Sequence, residues 1–153
     1  MAYDFVGTVT LDKGRNSLNR LIADLDRRKP DWNEAETRFQ FIDPFLTKCL
    51  GWPRPMIHVE KVQDREHTDY ELGEPRVVIW EAKREGHYFD LPANPSRKAI
   101  VSLASIMQSS KEASNAIRQA QSYCSARGVQ YAVVCNGHQL IAFLATRWDG
   151  VSP

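Results

Sequence analysis

Two short strand-like runs on either side of a glycine–proline turn constrain this chain most. They read Thr68-Asp69-Tyr70-Glu71-Leu72, then Gly73-Glu74-Pro75-Arg76, then Val77-Val78-Ile79-Trp80-Glu81-Ala82-Lys83. Apolar and aromatic residues bounded by a Gly/Pro cluster predict a β-hairpin. The second run is almost continuously apolar from Val77 to Trp80, the pattern of a strand buried on both faces. Side chains alternate along a strand, so Glu81 and Lys83 share one side and Ala82 takes the other. If the two strands pair, Asp69 comes beside Glu81 at the sheet edge. Two carboxylates and an ammonium then stand within a few residues' reach.

That grouping suits phosphodiester hydrolysis. A hard cation such as Mg²⁺ prefers oxygen ligands and often needs only one or two carboxylates besides phosphate and water. Asp69, Glu81 and the backbone carbonyl of Ala82 form such a ligand set. A bound metal polarises a phosphate and lowers the pKa of a bound water. Lys83 is placed to orient that water or to stabilise charge building on the phosphate. A Glu-x-Lys at a strand end is ordinarily a solvated charge pair. A buried strand holds this one more rigidly than a loop would.

The chain has 153 residues, enough for one domain with a real core. Its formal net charge is +1, so no global positive field advertises nucleic acid, and any such contact has to be a local patch. No apolar run approaches membrane-spanning length and no signal-peptide pattern opens the chain. Cys49, Cys124 and Cys135 are odd in number and widely spaced. They read as small buried residues of a reducing compartment, the cytoplasm, rather than a disulfide or zinc framework. The histidines His58, His67, His87 and His138 show no metal-ligand spacing.

Read in order, a short strand is predicted over 5–11 and a helix from 16 or 17 to 29, with Leu18, Leu21, Ile22 and Leu25 at helical spacing and Pro30 as its stop. Arg27-Arg28-Lys29 reads as a solvated helix end. Asn33 and Glu36 have the spacing of a capping box, which gives Glu36 a structural role; the helix runs to Gly51. Glu34 and Arg38 lie four apart on another side of it, open to a simple salt bridge. A strand with alternating Ile57 and Val59 is expected over 56–62, then a polar turn over 63–67 and the hairpin. The segment 84–95, with two prolines and several aromatics, reads as an ordered loop over the sheet edge. Ser96 is a candidate cap for a short helix through Ile100, Leu103 and Ile106. A longer helix spans 111–127, with a small apolar face of Ala113, Ala116, Ile117, Ala120 and Cys124, and Gly128 ends it. Gln119 and Tyr123 stand four apart on another face. Strands follow at 131–135 and 140–143 around the hairpin signal Asn136-Gly137. This order predicts an α/β domain with a mixed central sheet flanked by helices, the long helix crossing over to a parallel strand. The ending has no helix cap, so a single domain heading a longer protein is expected.

Taken together, the motifs resemble the PD-(D/E)xK nuclease superfamily, and in particular the N-terminal nuclease domain of type I restriction enzyme R subunits. The matching text is Asn33-Glu34-Ala35-Glu36-Thr37-Arg38, Ile42-Asp43-Pro44-Phe45-Leu46, Leu50-Gly51-Trp52, Thr68-Asp69-Tyr70, Trp80-Glu81-Ala82-Lys83, Gln119-Ala120-Gln121-Ser122-Tyr123 and Gly128-Val129-Gln130-Tyr131 with Cys135-Asn136-Gly137, about residues 33–143. The resemblance implies a restriction-endonuclease-like core and DNA cleavage dependent on Mg²⁺, with Mn²⁺ able to substitute. It implies Asp69 and Glu81 as metal ligands, Lys83 as the water-orienting cation, and a first-helix glutamate completing the acidic set; Glu34 takes that place because the capping box gives its rival Glu36 another role. Gln119 and Tyr123 match a Gln-x-x-x-Tyr element that supports the active site and the DNA backbone. Thr68 stands where the superfamily's name has proline, and no helicase motor is present in these residues.

The expected function is therefore a metal-dependent endonuclease of restriction or anti-phage defence, with DNA, further domains or subunits, and a homo-oligomer as partners. The alternative is a nuclease-fold module that binds nucleic acid or protein without chemistry. Arg38, Arg84, Lys98, Lys111 and Arg118 are its candidate contacts, although a solvated surface accounts for each more simply.

Overall fold

In the computed structural model, which describes residues 9–63, 65–93, 100–147 and 150, five strands form one sheet. They are β1 (Ile57–Gln63), β2 (Glu66–Leu72), β3 (Val78–Ala82), β4 (Tyr131–Cys135) and β5 (Leu140–Leu144), in that spatial order. Three neighbouring pairs are antiparallel, and β3–β4 is parallel. The parallel step is made through α3 (Leu103–Ser109) and α4 (Lys111–Arg127). Two further helical segments precede the sheet. α1 spans Leu11–Asp26, and α2 starts at Glu34–Thr37 and continues to residue 49. The molecule is thus a mixed α/β fold with helices on both faces of a mixed sheet.

β3 divides the core by simple alternation. Ile79 packs with Ala113, Ala116, Ile117 and Ala120 of α4, while its neighbour Trp80 packs with Phe41, Ile42 and Leu46 of α2. The small residues of α4 let that helix lie close to the sheet. α4 holds its expected bounds because both ends are signed. Ser110 accepts from the Ala113 N–H at 3.1 Å, and Gly128 closes the helix at φ 65°, a conformation that glycine takes without steric cost.

Several expectations are corrected. α1 begins at Leu11, with Thr10 as its cap, five residues earlier than the apolar spacing suggests. Gly14 lies inside it because a side chain there would meet the Cys49 carbonyl at 2.3 Å, where α1 crosses α2. Of the strand expected over 5–11, residues 5–8 lie outside the described set, and Leu11 is helical. α2 is not a plain helix. It winds into π-turns at Arg38–Ile42 and Phe45–Cys49 on either side of Pro44, whose missing N–H interrupts the regular ladder. β1 does not bury Val59, because it is an edge strand with Val59 and Val62 both exposed. His67 belongs to β2 rather than to a turn. Ser102, not Ser96, caps α3, and Ser96 lies outside the described residues. Ile100 precedes that helix and is 88% exposed.

Candidate active site

The β2–β3 pairing runs Leu72 with Val78, Glu71 with Ile79 and Tyr70 with Trp80. One step further along this register sets Asp69 against Glu81. There the regular ladder gives way to a side chain: Asp69 Oδ2 accepts from the Ala82 N–H at 2.7 Å. Two residues on, Lys83 Nζ donates to Glu81 Oε1 at 2.7 Å and to Gln119 Oε1 at 3.0 Å. Gln119 Nε2 in turn donates to the Tyr123 hydroxyl at 2.9 Å. Glu81 and Lys83 face α4 because they share the parity of Ile79, which packs on that helix.

α2 contributes from the other side. Asn33 and Glu36 form the reciprocal capping box, with bonds of 2.9 and 3.0 Å. Glu36 is thereby occupied at the helix start. Glu34 is exposed on the first turn and feels the charges of Asp69, Lys83, Arg38 and His87. Arg38 extends to Glu60 at 3.1 Å and to Asp69 Oδ1 at 3.7 Å, with its guanidinium 5.0 Å over the Tyr70 ring. It is therefore engaged across the sheet rather than in a bare helix pair with Glu34. Tyr70 is fixed by donating to Asp43 Oδ1 at 2.7 Å. Asp69 has no bond to the hairpin's Arg76, which pairs with Glu71 at 2.7 Å.

The electrostatics of these acids run in one direction. Burial first, then Asp69 and Glu34, push the Glu81 carboxyl up to about 7 against the pull of Lys83. Burial also raises Asp69, opposed by the Ala82 N–H, Arg38 and Lys83. Glu34 is raised by burial and then by Asp69. Asp69 makes ionisation of Glu34 and Glu81 harder, Glu34 adds to the effect on Glu81, and Glu60 acts likewise on Asp69, the mark of carboxylates short of positive charge. Glu81 Oε2 is buried and has no hydrogen-bond partner among the described residues. Comparison of the chain with protein-family models, curated proteins and solved structures finds no match.

A cation held here would have to draw on the Glu81 oxygen that lacks a partner among the described residues, on the strand position opposite Asp69. The fit is partial, since among the described residues no group of three or more His, Cys, Asp or Glu side chains stands ready to hold a metal. A hard cation needs fewer, given oxygen ligands from backbone, phosphate and water.

The candidate nucleic-acid contacts separate. Arg38 joins the acidic cluster, whereas Arg84, Lys111 and Arg118 are exposed. Lys111 and Arg118, seven residues apart, share an exposed face of α4, and Arg118 Nε also reaches Ser114 Oγ at 3.4 Å. Lys98 lies outside the described residues. Sequence reasoning missed Glu60, which stands across from Asp69 with φ 50° and anchors Arg38. A charged residue in a strand gives no warning of such a conformation.

Proposed function

We propose that this chain is a metal-dependent nuclease domain of the PD-(D/E)xK type that hydrolyses DNA phosphodiester bonds, acting in the cytoplasm in restriction or anti-phage defence. The observation that carries the reading is the meeting of Asp69, Glu81 and Lys83 where the pairing of β2 with β3 ends, with one buried carboxylate oxygen unpartnered among the described residues. Asp69, Glu81, the Ala82 carbonyl and Glu34 would hold Mg²⁺, or Mn²⁺ in its place. The bound ion would supply Lewis acidity toward the phosphate and a lowered pKa for its water.

The remaining roles fall to the chain's own groups. Lys83, braced between Glu81 and Gln119, presents a compact ammonium toward the attacked phosphate and its water. Tyr123 holds Gln119 in that brace. Arg38 offers a guanidinium for a phosphate beside the cluster, and Lys111 and Arg118 offer cations on an exposed face of α4. Free cysteines at 49, 124 and 135 suit a reducing compartment. Among the described residues no helix is long and apolar enough to cross a membrane.

The test is plasmid nicking by purified protein in Mg²⁺, Mn²⁺ or EDTA, with Lys83→Ala alongside. Metal-dependent nicking lost in the variant supports the reading. Nicking that survives Lys83→Ala removes this site from the chemistry. One observation favours the second reading, a nuclease-fold module that binds without cutting: the absence of a ready three-ligand metal group among the described residues. Metal-independent binding with no turnover is its signature.

A further inference from the structure

Arg127 closes α4, and its side chain is 0% exposed. A helix-ending arginine ordinarily lies in water along the helix dipole, and burying a guanidinium is costly unless it is well paired. Here Nε donates to Glu71 Oε1 at 2.7 Å and NH2 to the Glu66 carbonyl at 3.2 Å, while NH1 lies 3.5 Å from Glu66 Oε2. Glu71 is itself buried and also takes Thr68 Oγ1 at 3.0 Å and Arg76 Nε at 2.7 Å. One guanidinium thus ties α4 to β2 at Glu66 and Glu71, on either side of Asp69.

The same group stands 5.4 Å over the ring of Tyr123, one turn back along α4. Tyr123 accepts from Gln119, and Gln119 accepts from Lys83. Gln119, Tyr123 and Arg127 recur every four residues, so they form one stripe of the helix. The stripe leads from a buried ion pair to the ammonium at the site.

We infer that Arg127 is a positioning residue for Lys83. Through Tyr123 it fixes Gln119, which holds the ammonium. Through Glu66 and Glu71 it sets the strand carrying Asp69 against α4. The expected effect on rate rests on the nuclease reading, whereas the effect on Lys83 itself follows from geometry.

The test uses three variants of the whole chain. Arg127→Lys keeps the charge and loses the planar fork. Tyr123→Phe removes only the hydroxyl. Glu71→Gln keeps the shape and removes the charge that holds Nε. The ¹⁵N resonance of the Lys83 ammonium, assigned with Lys83→Arg, is followed by NMR beside Mg²⁺-dependent nicking. Arg127→Lys and Tyr123→Phe should each move that resonance and lower kcat by about tenfold to a hundredfold with KM unchanged. The double variant should fall no further than the worse single, as coupled residues do. An unmoved resonance in folded Arg127→Lys overturns the inference, and so do losses that multiply in the double variant. If Arg127→Lys does not fold, Glu71→Gln decides in its place: a moved resonance supports the inference and an unmoved one overturns it. If the wild type nicks no DNA, the resonance still decides the role of Arg127, and only the nuclease reading fails.

Discussion

Glu81 and Glu85 stand four residues apart, both buried, and each has a cation within hydrogen-bond reach: Lys83 Nζ at 2.7 Å and Arg28 NH2 at 2.6 Å. Their acidities nonetheless move apart. At Glu85, burial alone would raise the pKa, but Arg28, the Trp32 N–H and His138 outweigh it and the carboxyl is lowered. Both oxygens of Glu85 are doubly engaged, by Arg28 and His138 on one and by the Asp31 and Trp32 N–H groups on the other. Glu81 has one oxygen bonded and one left without a partner among the described residues. A nearby cation therefore does not by itself set the acidity of a buried carboxylate. The number of its acceptor sites that the protein satisfies does.

Asp69→Asn or Lys83→Ala should lower Mg²⁺-dependent nicking by about a thousandfold, with the thermal midpoint unchanged or raised in Asp69→Asn and lowered in Lys83→Ala, which leaves buried Glu81 without its cation. Glu85→Ala should do the reverse of Asp69→Asn. It strips a buried carboxylate from Arg28, which stacks 3.1 Å over Trp32. It should cost about 3–5 kcal/mol in urea unfolding and leave kcat per folded molecule unchanged. A Glu85→Ala protein of wild-type stability would erase the distinction between the two sites.

A smaller effect appears in the pH dependence of stability. Glu81 has an ordinary value of 4.5 and is raised in the fold to about 7. The folded state thus binds the extra proton, and its stabilising contribution is complete below about 4.5. That contribution is lost as pH climbs through about 7. Taken at full value the loss is about 3 kcal/mol. Glu81→Gln should flatten the curve over that window and gain on the wild type above it. Mg²⁺ should restore wild-type stability at pH 8 and do nothing for Glu81→Gln. A wild-type curve that stays level from pH 5 to 8 would show that Lys83 already balances the cluster.

The expectations that rest on local rules match the fold closely. α4 and β4 occupy the spans that periodicity and their end signals predict, and alternation along β3 brings Glu81 and Lys83 to one side. What was illegible depends on distance in sequence. Glu85 meets its partners 53 to 57 residues away, so Arg28 read as a solvated helix end. Arg38 had an adequate local partner in Glu34, yet its bonds go to Glu60 and Asp69 across the sheet. The start of α1 was missed because Leu11, at 78% exposed, and Gly14 carry no burial signal, only a close crossing with α2. Val59 misled because alternation does not say whether a strand lies at the edge of its sheet.

The smallest effects should separate two glutamates that differ only in their place on one helical turn. Glu36 returns a hydrogen bond to the Asn33 N–H, whereas Glu34 is raised by burial and by Asp69. Removing the cap with Asn33→Ala should cost about 1 kcal/mol, and Glu36→Ala a fraction of that, with nicking intact in both. Glu34→Ala should leave stability level or slightly higher, since it relieves Asp69 and Glu81 of a like charge, while nicking falls. Denaturant midpoints and initial nicking rates for the three variants read this directly. If Glu36→Ala loses activity and Glu34→Ala keeps it, the two carboxylates exchange roles, and the acidic cluster extends along the cap rather than toward Asp69.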